Sequence, residues 1–190
     1  MRAELPSVLL AGLLIILPAV GISLFGDAGF AALRYDLFAI NGEDEWWRFI
    51  SGHWTHLGTE HLVMNLVGVT ILTLLVGPWL GPGGMLLTAI LAAGSISTAL
   101  WLFHPELFWY AGLSGVTAAL WAAGSMRGFR SGSWLALLVL LALAAKLAVD
   151  FYTNAPVSVS QLIGGPVVVH AHLYGALTGV ALGALLPRMR

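Results

Sequence analysis

The sequence predicts an all-α polytopic membrane protein that crosses the bilayer with six helices. Of its 190 residues, 59% are hydrophobic and only 9% are charged, and the mean hydropathy is +0.91. A soluble domain of this size carries far more charge. A helix needs about 20 apolar residues to cross the hydrocarbon core. Six stretches approach that length, at 8–25, 61–80, 85–102, 112–126, 134–151 and 170–186. Together they fill the chain, so residues 1–190 are predicted to form a single domain.

Charge and cysteine content exclude several classes of function. The net charge of −1 argues against nucleic-acid binding, which needs clustered cations. The chain has no cysteine, so disulfides and thiol chemistry are excluded. No small-residue cleavage site follows the first apolar stretch, which therefore reads as a retained span rather than a signal peptide.

The connections are of two kinds. Segments 81–84 and 128–132 are short and contain glycine, so they predict tight turns. Segment 26–60 predicts a long outer loop in the headgroup layer, because it mixes one cation with tryptophans that favour the interface: Trp46, Trp47, Arg48 and Trp54. Segment 152–169 predicts an irregular loop, with Pro156, Gly164, Gly165 and Pro166.

The charges also predict an orientation. With six spans, one side of the bundle carries Arg2, Arg127, Arg130, Arg188 and Arg190 against Glu4. The other side carries most of the carboxylates. Because basic residues favour the cytoplasm, both termini are expected inside and the two long loops outside.

The fourth stretch opens with Gly112-Leu113-Ser114-Gly115, which places Ser114 between two glycines. A stretch of this length covers only about 22 Å. If its inner end is held by Arg127 and Arg130, Ser114 lies below the outer surface and is reached through a depression. Gly-x-Ser-Gly alone is equally compatible with a small-residue packing site.

The sixth stretch supplies a second candidate, His172. Gly175 and Gly179 share its helical face, so this helix is expected to pack closely on another and present the imidazole to it. His170 falls on a different face. A histidine satisfied by a loop carbonyl is the alternative interpretation.

His61 and Asn65 lie four residues apart on one face of the second stretch. They could polarise an oxyanion, or they could only fasten two helices together. With the Ser114 backbone N–H, they complete the groups needed for acyl transfer, in which His172 takes the proton of Ser114. No acidic residue is placed to orient His172, so the sequence predicts a dyad. Lys146 and Asp150, one turn apart, predict an ion pair near the outer surface.

At these residues the chain resembles the rhomboid intramembrane proteases. The shared features run in order as Trp47-Arg48, His56, His61-x-x-x-Asn65, Gly112-x-Ser114-Gly115 and Ala171-His172-x-x-Gly175-x-x-x-Gly179. The resemblance implies a six-helix rhomboid-like bundle, catalysis by Ser114 and His172 without a cofactor or metal, and an oxyanion site at His61, Asn65 and Ser114. Many rhomboids carry a tyrosine four residues after the serine, where this chain has Ala118; Tyr174 is a possible substitute.

A narrower resemblance is to the rhombosortase branch. It rests on segments 33–36, 46–48, 52–57, 164–169 and 171–176. It implies a Gram-negative inner-membrane enzyme whose substrates are secreted or surface proteins with a C-terminal GlyGly-type tail, a hydrophobic helix and a basic end. Transfer to an amine acceptor is a further possibility.

Two other functions remain open from the residues. Six histidines on the outer side, with His53 and His56 three apart, are compatible with a metal or haem protein. A non-catalytic rhomboid-like protein that binds membrane helices is the other alternative.

Overall fold

The computed structural model describes residues 4–153 and 157–188, and these residues form an all-α fold. Arg2, Pro156 and Arg190, which entered the predictions above, lie outside the described residues. In chain order the helices are α1 (Leu5–Ser23), α2 (Gly26–Leu33), α3 (Leu37–Glu43), α4 (Arg48–Ser51), α5 (Thr59–Leu75), α6 (Gly77–Leu80), α7 (Pro82–Phe103), α8 (Ser114–Arg130), α9 (Trp134–Thr153), α10 (Val157–Ile163) and α11 (Val169–Leu185). A 3₁₀ turn spans Gly52–Trp54, and two short strands are β1 (Tyr35–Asp36) and β2 (Trp109–Tyr110).

Three of these helices are long and apolar enough to cross a membrane, namely α1, α7 and α9. A fourth span is obtained if the segments Arg48–Trp54 and Thr59–Leu75, bent by 94°, count as one. Helix α11 is apolar but shorter. Helix α8 has 17 residues, about 25 Å, against a hydrocarbon core of about 30 Å. The prediction of a multi-pass all-α membrane protein is confirmed, whereas the count of six spans stays a prediction.

Three helix boundaries differ from the sequence prediction for identifiable reasons. Gly112 was expected to open the fourth helix, but its φ of +120° is not helical and α8 starts at Ser114. The turn predicted at 128–132 begins later, because Gly128 lies inside α8 against the Trp79 ring. In the second stretch, Pro78 separates α5 from α6, since proline supplies no N–H to continue a helix.

Segment 26–60 is an ordered platform rather than a plain loop, with α2, β1, α3, α4 and the 3₁₀ turn. Asp36 caps α3 by accepting from the amides of Phe38 and Ala39. Burial by itself raises the pKa of Asp36, but hydrogen bonds from Arg34 and the α3 amides outweigh it and hold that pKa below its usual range. Strand β1 pairs antiparallel with β2, with Tyr35 opposite Tyr110. The platform therefore holds the chain just ahead of α8.

The tryptophans of this platform divide between surface and core. Trp46 and Trp47 are exposed, as an interfacial location requires. The same prediction is wrong for Trp54, which is 7% exposed and donates its indole N–H to the Ile15 carbonyl at 2.7 Å. Arg48 is also buried, and its guanidinium donates to the carbonyls of Ala31, in α2, and of Arg34, just after that helix.

The second long connection was predicted to be irregular, and this is wrong for residues 157–163. They form α10, and the glycines and proline expected to disrupt the segment, at 164–166, follow the helix and end it.

At the other end of the bundle, Arg127 donates to the carbonyls of Trp79 and Leu80, and Arg130 donates to those of Gly183 and Leu186. These bonds tie α8 to the ends of α6 and α11.

Helices α8 and α11 pack along a seam of three glycines. A Cβ added at Gly175 would lie 2.1 Å from the Gly115 carbonyl oxygen, one at Gly179 would lie 2.2 Å from that of Ala119, and one at Gly183 would lie 2.4 Å from that of Ala123. Only hydrogen fits at these positions, so the two backbones are in direct contact. Small residues at four-residue spacing are a known route to close helix pairs in membranes.

Replacing Gly179 by alanine should separate the two helices, because the new methyl group meets backbone rather than a flexible side chain. We expect Gly179→Ala to lower the free energy of unfolding by about 1–3 kcal/mol, as overpacking does. Thermal unfolding in detergent micelles measures the change. Gly83→Ala is the matched control, since an added Cβ there has nothing within 4 Å. Equal unfolding midpoints for the two variants would contradict the seam.

Candidate active site

Ser114 and His172 are in hydrogen-bonding contact. The Ser114 Oγ atom lies 2.9 Å from Nε2 of His172, although the two residues are 58 positions apart. Ser114 is the first residue of α8, and His172 lies in the first turn of α11. His172 is 7% exposed and Ser114 is half-buried. The structure therefore brings together the two side chains that the sequence singled out.

The short segment before α8 fixes the position of Ser114. The Gly112 N–H donates to the Gly52 carbonyl at 3.2 Å, and the Tyr110 hydroxyl donates to the Gly112 carbonyl at 2.8 Å. Burial raises the pKa of the Tyr110 hydroxyl above its ordinary value, so this donor keeps its proton. Three contacts thus hold the chain within four residues before Ser114. They are the pairing of β1 with β2, the bond from Gly112 to the platform, and the bond from the Tyr110 hydroxyl to Gly112.

The seam fixes the position of His172. Gly115 follows Ser114 and Ala171 precedes His172, and a Cβ on Gly115 would come within 3.0 Å of the Ala171 carbonyl oxygen. Gly175 sits one turn further along α11 in contact with the same part of α8. Because this contact is between backbones, the distance between serine and histidine depends little on side-chain rotamers.

An acidic side chain completes the line, and the prediction that none would lie near His172 is wrong. Asp150 Oδ2 is 3.3 Å from Nδ1 of His172. The same oxygen accepts from Lys146 Nζ, so the ion pair expected from their spacing is present. The side chains of Asp150 and His172 are only 11% and 9% exposed. The spacing rule found the ion pair but could not show that α9 turns this carboxylate towards α11.

His61 and Asn65 face the same site from α5. A Cβ on Gly112 would be 2.7 Å from both Cε1 and Nε2 of His61, so this edge of the imidazole lies close to the backbone two residues before Ser114. The Asn65 side-chain amide donates to the His61 carbonyl at 2.9 Å, and Nδ1 of His61 accepts from the Leu57 N–H at 3.4 Å. Both side chains are 6% exposed.

These residues border a cavity of about 640 Å³ between α5 and α9. Its walls are largely apolar, and α10 with the segment after it covers one end. Gly68 and Ala118 leave it wide, and Ala118 occupies the position that many rhomboids fill with tyrosine. The polar side chains in its lining include Ser114, His172, His61, Asn65, Lys146 and Asp150, and also Glu106, Tyr110 and Thr117.

Other predicted residues lie outside this cavity. The His56 ring packs edge-on against His61, with centroids 5.0 Å apart, and stands behind it. Trp47 is exposed on the platform and Arg48 is buried within it. Tyr174 does not support His172, because its hydroxyl pairs with Nε2 of His104 at 2.9 Å.

The remaining histidines do not assemble a metal centre. His53 pairs with the Ser97 hydroxyl at 3.0 Å, and His104 lies against His170, with ring centroids 4.3 Å apart. Within residues 4–153 and 157–188, no three His, Asp or Glu side chains are arranged to hold a metal ion.

Comparison with known proteins identifies the family. The sequence model described as the Rhomboid domain matches residues 43–189, well over half of the chain. The chain belongs to the rhomboid family. Rhomboids are in general intramembrane serine proteases that act on membrane proteins within the bilayer. None of the curated proteins compared with this rhomboid matches it. Ser114, Asp150 and His172 all lie within the matched residues, whereas α1 precedes them.

Replacing Gly112 by alanine should combine two costs, a φ unsuited to a side chain and a clash with the His61 ring. We expect Gly112→Ala to lower the free energy of unfolding of this rhomboid by about 2–4 kcal/mol, since strain and overpacking cost about 1–3 kcal/mol each. Thermal unfolding in micelles measures it.

Gly132→Ala isolates the backbone cost, because Gly132 also has positive φ (+90°) but nothing lies near its added Cβ. When Gly112→Ala is introduced into a His61→Ala protein, the further loss in the free energy of unfolding, relative to His61→Ala alone, should fall to the loss caused by Gly132→Ala. An undiminished penalty in the double variant would show that the imidazole does not lie on Gly112.

Proposed function

We propose that Ser114 is the nucleophile and His172 the general base of an intramembrane serine endopeptidase. The observation that carries this proposal is the 2.9 Å contact between Ser114 Oγ and His172 Nε2 within the cavity. A serine hydroxyl is a weak nucleophile until a base takes its proton. In the proposed reaction Oγ attacks the scissile carbonyl carbon while its proton passes to Nε2. The imidazolium then returns that proton to the leaving amine.

The negative charge on the attacked oxygen needs donors, and the cavity offers three. The Ser114 N–H lies in the first turn of α8 and has no helical acceptor. Asn65 has a second amide hydrogen besides the one given to His61. His61 brings an imidazole to the same wall. Each such donor is worth about 3–4 kcal/mol in a transition state.

The proposed substrate is a membrane-anchored protein with an apolar helix next to the cut. The cavity supports this, because its α5 wall runs from His61 to Leu75 and its α9 wall from Leu143 to Asp150. The rhombosortase resemblance refines the substrate to a C-terminal GlyGly-type tail. Glycine lowers helix stability by about 1 kcal/mol relative to alanine, so such a pair eases exposure of the scissile bond. The end covered by α10 and the segment after it is proposed as the lid that admits the tail.

The proposed setting is a bacterial inner membrane, crossed six times, with both termini cytoplasmic and the cavity opening towards the periplasm. The support is electrostatic. Arg127 and Arg130 bind carbonyls at the end of α8 remote from Ser114, where cytoplasmic loops usually hold their cations.

Ser114→Ala and His172→Ala should each reduce cleavage of a tailed substrate by about 10⁴-fold or more, because nucleophile and base act as a unit. Cleavage is followed on a substrate in liposomes, with mass spectrometry of its new C-terminus separating release to water from transfer to an amine. A fluorophosphonate probe should label the unaltered protein at Ser114.

Ser7→Ala, near the start of α1 and outside the cavity, is the matched control and should behave as the parent protein. Cleavage that persists in Ser114→Ala refutes the nucleophile. A folded protein that neither cleaves nor labels supports the alternative, a non-catalytic protein that binds membrane helices.

His61→Ala and Asn65→Ala should each lower kcat by about 10²- to 10³-fold with little change in KM, since their donors act on charge that develops only in the transition state. Steady-state kinetics in liposomes measures the two constants. Asn41→Ala, at an exposed asparagine outside the cavity, is the control. A rise in KM with kcat unchanged would assign these residues to substrate binding instead.

A further inference from the structure

We propose that Asp150, held by Lys146, is a positioning residue that fixes the tautomer and orientation of His172, so that this site works as an acid–imidazole–hydroxyl line rather than as a dyad. The inference rests on the proposed function for its consequence in catalysis. It deepens that function by adding a residue from α9, a helix that the serine–histidine motifs do not include.

The geometry is a continuous chain of contacts across three helices. Ser114 Oγ on α8 meets Nε2 of His172 on α11 at 2.9 Å, and Nδ1 of the same ring meets Asp150 Oδ2 on α9 at 3.3 Å. The two imidazole nitrogens thus face different partners. The carboxylate and the ring are both about nine-tenths buried, so bulk water competes little for either nitrogen.

The tautomer of His172 is set by Asp150, because a carboxylate, unlike the Ser114 hydroxyl, can only accept a hydrogen bond. A neutral imidazole carries one N–H, and an ionised carboxylate has no hydrogen to give. Asp150 therefore favours the tautomer with its hydrogen on Nδ1, which leaves the Nε2 lone pair directed at Ser114. When Nε2 takes the serine proton, the ring becomes a cation next to a fixed negative charge. The carboxylate keeps that charge throughout, since the proton goes on to the leaving amine.

Lys146 explains how a carboxylate is sustained at this depth. An uncompensated buried charge is costly, and one inside a bilayer is costlier still. Lys146 lies one turn earlier on α9 and donates to the same Oδ2 atom, while its side chain stays 46% exposed. Because Lys146 also lines the cavity, its flexible side chain neutralises the acid without being fully buried itself.

A purely structural ion pair between α9 and α11 is the competing explanation, so the test needs readouts that a structural role does not move. The charged and titratable groups that face His172 are Asp150, with Lys146 behind it on α9, and His61 on α5. Asp150→Asn removes the charge at nearly constant volume. Its amide can donate to Nδ1 and so favours the wrong tautomer.

The first measurement is ¹⁵N NMR of histidine-labelled protein in micelles, with the His172 signals assigned by their loss in His172→Ala. We expect hydrogen on Nδ1 in the unaltered protein and a shift towards hydrogen on Nε2 in Asp150→Asn. Asp27→Asn, at an exposed carboxylate on α2, should leave the signals unchanged. This readout needs no catalysis, so it tests the contact even if the protein proves not to be a protease.

The second measurement is kinetic. Asp150→Asn should lower kcat by about 10²- to 10⁴-fold with KM nearly unchanged, as loss of the orienting acid does in serine proteases. The acid limb of the kcat–pH profile should move to lower pH, because the imidazolium loses its counter-charge. Asp150→Glu should restore part of kcat, and Lys146→Met should cost less than Asp150→Asn.

An unchanged tautomer, or an unchanged kcat and pH profile in a protein that cleaves through Ser114, overturns the proposal. Should Asp150→Asn fail to fold, Lys146→Met and Asp150→Glu carry the same test. In Asp150→Glu the acid limb should move to lower pH by a smaller amount, and in Lys146→Met it should move to higher pH, because a cation near the imidazolium is lost; a limb that stays in place in both counts against the proposal.

Discussion

The direct backbone contact between α8 and α11 is the constraint on which the candidate site depends. Three glycines of α11, at 175, 179 and 183, meet carbonyl oxygens of α8 at distances that leave no room for a methyl group. Since the contact repeats every four residues, it fixes the rotation of each helix as well as their separation. The serine at the start of α8 and the histidine in the first turn of α11 inherit that geometry.

The polar groups of the site are placed where each has a partner. A lone charge or hydroxyl at membrane depth is costly, and such groups persist when they meet one another or a wet cavity. Here the hydroxyl meets an imidazole, the imidazole meets a carboxylate, and the carboxylate meets an ammonium group whose side chain is 46% exposed. Each contact compensates the burial of the group before it, so these polar side chains can lie together in an otherwise apolar interior.

Much of the site followed from the sequence because its residues obey local rules. Ser114 between glycines, His172 above a glycine stripe, and His61 with Asn65 on one helical face each depend only on spacing within a single element. The resemblance then set these elements in order. Asp150 escaped the same reasoning, because its contact with His172 depends on how α9 is rotated relative to α11. The four-residue spacing to Lys146 already explained Asp150 as the partner in an ion pair, so nothing in the sequence indicated a second contact.

The errors in the fold have the same origin. The expected loop at 152–169 contains α10 because glycine and proline mark where a helix ends, and they say little about the residues before them. Trp54 was assigned to the interface by residue type, yet its indole finds a carbonyl of α1 in the core. Gly128 was taken for a turn, whereas a glycine inside a helix also serves where an aromatic ring packs tightly against the backbone.

The hydrogen bond from Trp54 to Ile15 joins the region matched by the family to α1, which lies before that region. The family match starts at residue 43, after α1 has ended. Even so, Val8, Ala11, Ile15 and Ala19 of α1 belong to the same core cluster as Leu113, Val116 and Leu120 around the start of α8. Proline at position 18 weakens the helical hydrogen bonding of the turn before it, and the Ile15 carbonyl in that turn accepts the indole hydrogen. A fragment trimmed to the shared region would strand a buried donor, at about 1–3 kcal/mol, and strip one side of the core. The first helix is thus an integral wall of this molecule rather than an appendage to it.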